Sequence, residues 1–137
     1  MVNEIRSHCP INYLLETVGD KWSLLVVRDL MFYNKRSYGE FLGAEEKIAT
    51  NILADRLARL ETAGIIVREV AVGGSRATYR LTRKGMDLLP MLLEMILWSA
   101  KHDAETAAPA AFIKRIKKDR AALLAEIEAA WLKGIPQ

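Results

Sequence analysis

Between residues 35 and 84, ten basic side chains stand against six acids: Lys35, Arg36, Lys47, Arg56, Arg59, Arg68, Arg76, Arg80, Arg83 and Lys84 against Glu40, Glu45, Glu46, Asp55, Glu61 and Glu69. This segment's net +4 exceeds the +3 of the whole 137-residue chain. Residues 85–108 carry Lys101 against Asp87, Glu94, Asp103 and Glu105, so the positive charge is gathered in one stretch. Gathered positive charge attracts phosphate without regard to base sequence. From charge alone, the other reading is an ordinary solvated surface. The order of elements adds to the charge: a short helix, a turn, a second helix, then a β-hairpin with Arg76 at its tip and Arg68 and Arg80 on its strands. A helix beside a basic ribbon can grip a duplex in two adjacent grooves.

The second helix is the clearest of these elements. Leu53, Leu57 and Leu60 recur at helical spacing and turn one face to a core, while Asn51, Asp55, Ala58, Arg59 and Thr62 occupy the opposite arc. Gly64 ends the helix in the left-handed conformation that glycine takes without a Cβ clash. The preceding helix is expected over 40–44 with Gly39 as its N-cap, followed by a turn through 43–47, with Ile48 packed beneath. Residues 65–72 are rich in β-branched types and read as a strand. Gly73-Gly74-Ser75 reads as the turn, and residues 76–81 as the return strand. A lone hairpin is marginal, so it must lean on the helices. Thr82 is placed to cap the next helix.

Helices flank this unit. Pro10 suits a first helical position, Ile11, Leu14, Leu15 and Val18 give that helix an apolar face, and Gly19 ends it. Asp20 then caps a helix over 21–32. From Arg83 the chain turns helical to about Lys101, with a kink or break at Pro90. After an Ala-rich connector and Pro109, a last helix carries a stripe of Phe112, Ile116, Leu123, Ile127 and Trp131. So much apolar helix in a small protein asks for a partner surface, and a second copy is the simplest. Leu93, Leu97, Phe112, Ile116, Leu123 and Ile127 are the dimer candidates; the competing reading closes both stripes into one copy's core. The expected organisation is mainly α with a small β-hairpin (α+β), as a DNA-binding domain over 1–103 and a helical, dimerising extension over 104–137. Trp98, Trp131, Met91 and Met95 read as core, or else as the lining of an effector cavity.

Composition narrows the class. About half the residues are apolar (51%) and about a quarter charged (27%), as in a globular domain. The most apolar run, 88–98, contains Pro90 and Glu94 and is too short to span a bilayer, so no membrane partner is expected. With no signal pattern at the N-terminus, a cytoplasmic protein is expected. One cysteine, Cys9, excludes a disulfide framework and a multi-cysteine zinc site. His8 and His102 are far apart, and the chain has no phosphate-cradling glycine loop, metal-spaced cluster or nucleophile elbow. Neither an enzyme nor a cofactor is expected. A protein-binding module on the same fold stays open, because fold does not fix function.

Several motifs together resemble the HxlR-type winged helix-turn-helix regulators: Cys9-Pro10, Gly19-Asp20-Lys21-Trp22, Arg36-Ser37-Tyr38-Gly39-Glu40-Phe41, residues 48–60, Leu60-Glu61-Thr62-Ala63-Gly64-Ile65-Ile66 and Arg76-Ala77-Thr78-Tyr79-Arg80-Leu81-Thr82. Gly85, Leu89-Pro90 and Trp98 fit the same pattern, which covers about 9–102. The resemblance implies a bacterial or archaeal transcription regulator, a repressor of MarR-like architecture. It would be dimeric through its terminal helices and bind double-stranded DNA at an inverted repeat.

Carried over by position, Thr50, Asn51, Ala54 and Asp55 would face the major groove. Asn can pair bidentately with adenine, and the Ala54 methyl can touch a thymine methyl. Asp55 is expected to pair with Arg59 at i+4 in place of accepting from cytosine. Arg76 on the wing, Lys21, Arg36 and Arg56 would meet the backbone, Arg56 alternatively an acid. Ala49 and Gly73-Gly74 depart from the pattern, where the family has a small hydroxyl residue and prolines respectively. Ala49 caps poorly, leaving the start of the helix between Thr50 as cap and a ragged first turn. Some members of the resembled family sense oxidants or electrophiles through a cysteine at the place of Cys9. A helix N-terminus favours the thiolate, with Arg6 and His8 close in sequence, while the plainer reading is a packed thiol.

Overall fold

The computed structural model describes residues 4–74 and 76–135. The turn expected at Ser75 lies partly outside them. Packing divides the chain into two units, residues 1–85 and 86–137. No helix among the described residues is long and apolar enough to cross a membrane.

The first unit runs α1 (Pro10–Val18), α2 (Ser23–Phe32), α3 (Tyr38–Leu42), α4 (Thr50–Thr62), β1 (Ile66–Val70), β2 (Ala77–Leu81) and the short α5 (Arg83–Met86), whose last residue begins the second unit. Its core gathers Val26, Val27, Phe41, Leu53, Leu57, Leu60, Ile65, Ile66 and Leu81, each at most 3% exposed. The three leucines of α4 are the apolar face that their spacing gives. Burial at this density removes much apolar surface from water, the main favourable term in folding. The hairpin pairs antiparallel with Ile66 opposite Leu81 and Arg68 opposite Tyr79. Its other edge is covered in part by the segment before α3: the Tyr79 amide donates to the Arg36 carbonyl at 2.8 Å, and Ser37 bridges to Thr78.

Four details differ from the sequence reading. Helix α3 starts at Tyr38, and its cap is Ser37, not Gly39. The Ser37 hydroxyl accepts from the Glu40 amide at 3.2 Å, while Glu40 Oε1 accepts from the Ser37 amide at 3.1 Å, a reciprocal capping box. Two donors satisfied at once outweigh what a glycine cap offers. Helix α2 starts at Ser23, because Lys21 and Trp22 form a turn that Asp20 holds. Ala49 stands extended at the N-cap of α4 without a side-chain bond, so Thr50 is the first helical residue and not the cap. The strands are shorter than 65–72 and 76–81, ending at Val70 and starting at Ala77.

The second unit contains α6 (Leu89–His102), α7 (Ala110–Lys118) and α8 (Arg120–Lys133), with α6 packed on α7 and α7 on α8. Pro90 lies in the first turn of α6, and α5 ends before it, so the break falls where the proline demands. The single last helix expected after Pro109 is two helices. Asp119, at φ −143° and ψ 40°, breaks the helical path between them, and the Arg120 guanidinium reaches back to the Ile116 carbonyl at 3.2 Å. Arg115 pairs with Glu126 at 2.7 Å and Arg120 with Glu94 at 2.5 Å, tying the three helices together. Trp98 and Met95, expected as core, are exposed, and the Trp98 ring lies 4.9 Å from that of His102. Met91 and Trp131 are half-buried.

Candidate nucleic-acid interface

Helix α4 presents Thr50, Asn51, Ala54 and Asp55 on its solvent side, together with Ala58, Arg59 and Thr62. A helix can read base edges only if its orientation is fixed, and four contacts fix this one. The Ser37–Glu40 box starts α3. The Tyr38 hydroxyl donates to the Thr50 carbonyl at 2.9 Å, which locates the first turn of α4 where Ala49 supplies no cap. Arg28 of α2 grips the α3–α4 turn through Glu46, at 2.6 and 3.0 Å, and its other face meets Asp29, a buried carboxylate that also lies 3.5 Å from Lys35. Glu46 first, then Asp29, raise the affinity of Arg28 for its proton against the opposing effect of burial. Lys47, at φ +58°, takes the left-handed conformation that closes this turn.

The fourth contact is Asp20 with Arg56. Asp20 Oδ1 accepts from the Trp22 and Ser23 amides at 2.9 and 3.0 Å and from Arg56 Nε at 3.0 Å; its Oδ2 accepts from the Ser23 hydroxyl at 2.5 Å. Partial burial pushes this carboxyl up, but hydrogen bonds from the Ser23 hydroxyl, the Trp22 and Ser23 amides and Arg56 outweigh it and hold the pKa at about 2. Arg56 also bonds Asp55 and keeps only 19% of its side chain exposed. Of its two readings, phosphate or acid, the chain satisfies the second: Arg56 is a strut between α2 and α4. Asp55 pairs as expected with Arg59, at 2.9 Å.

The other basic residues divide in the same way. Arg80 is bound to Glu69 across the hairpin, and Lys84 is bound to the Ala63 carbonyl at 2.9 Å. Arg36 is half-buried and donates to the Asn34 side chain at 3.2 Å. Lys21 is exposed beside the Trp22 ring, at 5.3 Å. Among the described residues no ion pair engages Lys47, Arg68 or Arg76, and all three are exposed. The +4 of the segment therefore overstates its free charge, but what is free sits on the helix-turn-helix and the wing. Gly73, at φ +76°, makes the wing turn, and Val70 and Val72 are exposed beside it.

The remaining expected residues fall elsewhere. Cys9 is exposed at the N-cap of α1 and makes no side-chain capping bond. The nearby Arg6 is engaged by Asn12 and Glu16 of α1, at 2.7 and 3.4 Å. Leu93, Ile116 and Leu123, expected at a contact with a second copy, are buried within one copy, whereas Leu97, Phe112 and Ile127 are half-buried. Ile11 and Leu15 of α1 are exposed. The cleft lined by Trp22, Val26, Phe41 and Leu53 encloses about 10 Å³, room for no more than a water molecule. Among the described residues no three His, Cys, Asp or Glu side chains gather as a metal site requires. Sequence reasoning missed Tyr38, Arg28 and Glu46. The S-x-x-E spacing of Ser37 and Glu40 was a usable signal for α3, whereas the 18-residue reach from Arg28 to Glu46 had none.

A helix pair whose second member is held outward by a capping box, a tyrosine and two arginines, followed by a hairpin with unpaired arginines, is a winged helix-turn-helix. The chain belongs to the HxlR-like helix-turn-helix family, whose model matches residues 17–107. It is 40% identical over 88 residues to the uncharacterised HTH-type transcriptional regulator sll1512 of Synechocystis, a match covering 64% of each chain. The match thus spans slightly less than two thirds of that relative's length. Among solved structures it is similar to PA1607, a proposed transcription factor, with a TM-score of 0.66 and 38% identity over 77% of this chain and 70% of that one. It is also similar to the redox regulator HypR in its oxidised form, with a TM-score of 0.61 and 31% identity over 69% of this chain and 97% of that one.

Proposed function

We propose that this protein is a transcriptional repressor that binds an inverted-repeat DNA operator as a homodimer in the cytoplasm. One observation carries the reading: the solvent face of α4 offers Thr50, Asn51 and Ala54 without side-chain hydrogen bonds among the described residues, beside a wing whose Arg68 and Arg76 have no ion pair. Asn51 and Ala54 read base edges in the major groove, and Arg76, with Lys21 and Arg36, holds the backbone. Dimerisation runs through the terminal helices, using the exposed Ile11 and Leu15, the half-buried Leu97, Phe112 and Ile127, and the extension 104–137. Two copies then address half-sites about one helical turn, ~34 Å, apart. The likeness to HypR supports a second part: an oxidant or electrophile reacts with the exposed Cys9 and releases the operator. Selection of bound duplexes from random DNA tests the core of the proposal. A recovered inverted repeat is the expected result, with binding weakened broadly by Arg76→Ala and base preference relaxed at one position per half-site by Asn51→Ala. If no duplex is enriched, or if neither variant differs from wild type at moderate salt, the reading is wrong.

A further inference from the structure

We infer that Arg59 is the phosphate-binding arm of α4, held in the free protein by Asp55, and that DNA binds by taking this arm from its internal partner. The inference rests on the DNA-binding reading above. Helix α4 has two arginines, and the fold treats them differently. Arg56 is clamped by Asp20 at 3.0 Å and by Asp55, with 19% of its side chain exposed. Arg59 has 68% exposed and, among the described residues, a single ion-pair partner, Asp55, at 2.9 Å, itself 47% exposed. A solvent-exposed i,i+4 pair is weakly held. Asp55 is also shared: when Arg59 leaves, the carboxylate keeps Arg56, so no unpaired charge is left against the helix. The exchange substitutes a phosphate oxygen for a carboxylate oxygen on a guanidinium built to bind either.

Placement along the helix assigns the kind of contact. Arg59 lies eight residues beyond Asn51, which at 1.5 Å per residue is about 12 Å along the axis. Eight residues also turn it about 80° around the axis from Asn51. With the N-terminal turn of α4 at the base edges, Arg59 is set back along the helix and turned aside from the reading face, toward the phosphates that flank the groove. It therefore adds affinity without reading sequence, while Asp55 subtracts from the attraction for DNA at large until the arm is released. Arg56, counted among the backbone contacts by position, does not serve here, because moving it would undo the strut to α2.

The test compares the full-length wild type with Arg59→Ala, Arg59→Lys, Asp55→Asn and the double variant Asp55→Asn/Arg59→Ala, on the selected operator and on a scrambled duplex. Affinity is measured over a range of salt, and folding is checked by urea midpoint. Arg59→Ala is expected to weaken both duplexes alike, by about tenfold, and to reduce the salt slope by about 1. Arg59→Lys restores the slope. Asp55→Asn tightens both duplexes by the same factor, leaving the ratio between them unchanged, and the double variant loses that gain. A wild-type protein that binds the operator while Arg59→Ala binds it with unchanged affinity and slope overturns the inference and leaves the DNA reading standing. If Asp55→Asn weakens the operator alone, Asp55 is a base reader and the competitor role is overturned. A wild type that retains no duplex overturns both.

Discussion

Lys84 Nζ lies 3.1 Å from the Tyr13 hydroxyl, across 71 residues of sequence, and also donates to the Ala63 carbonyl at 2.9 Å. A base that counts toward the positive charge of residues 35–84 is instead a latch between α1 and the end of α4. Its position has a local cause: the last carbonyls of a helix lack intrahelical partners and carry partial negative charge, so a cation there is favoured. The hydrogen bond from Lys84, then its charge, lowers the pKa of the Tyr13 hydroxyl.

Lys84→Ala should therefore loosen a junction more than weaken a DNA contact. Amide hydrogen exchange at residues 61–66 and at the first turns of α1 is expected to accelerate, and a scrambled duplex should lose far less affinity than with Arg76→Ala. By NMR, the Tyr13 ring should titrate at lower pH in wild type than in Lys84→Met. Unchanged exchange together with an Arg76-like loss of DNA affinity would return Lys84 to the DNA surface.

Asp20 gives a pH prediction with a definite sign. Its folded pKa of about 2 lies below the ordinary 3.8, so its carboxylate stabilises the fold fully above about pH 5 and progressively less as pH falls from about 4 toward 2. Asp20→Ala should cost about 1 kcal/mol near neutrality, the scale of a lost helix cap. In urea titrations the gap between variant and wild type should be flat from pH 5 to 7 and shrink below pH 4. A gap that widens on acidification contradicts the assignment.

Gly85 is fixed by space. A Cβ there would lie 2.3 Å from the Ile65 carbonyl oxygen and 2.9 Å from a Leu81 methyl. The Thr82 hydroxyl, donating to the Gly64 and Ile65 carbonyls and accepting from the Gly85 amide at 3.1 Å, pins the same corner. Gly85→Ala should cost roughly 1–3 kcal/mol, the range for overpacking. A urea midpoint equal to wild type would mean the strand end yields without cost.

For Cys9, gel shifts with and without diamide separate sensor from surface thiol. Wild type should release the selected operator on treatment, and Cys9→Ser should retain it. A Cys9→Ser protein that releases DNA as wild type does removes the thiol from the mechanism.

What the sequence made legible was what repeats locally. The leucines of α4, the β-branched run before Gly73, the left-handed Gly64 and the proline at the head of α6 all act within a turn or two, and the structure carries each of them. The capping box of Ser37 and Glu40 was equally local and was masked by the glycine between them. Other features depended on partners far along the chain. Arg56 meets Asp20 across 36 residues, and no spacing rule foretells it. The break at Asp119 lies between two helix-favouring stretches, and composition does not mark it.

Helix α4 is oriented by Asp20, Arg28, Tyr38 and three buried leucines, none of which is a proposed reader. The Thr50 carbonyl accepts from Tyr38, but among the described residues the side chains of Thr50, Asn51 and Ala54 form no hydrogen bond. Changes of these exposed side chains to other helix-compatible residues therefore cost the fold little, within about 0.5 kcal/mol. Under the proposed function, the choice of DNA can change by single-residue steps that each pass through a stable protein, while the frame that aims the helix is left untouched.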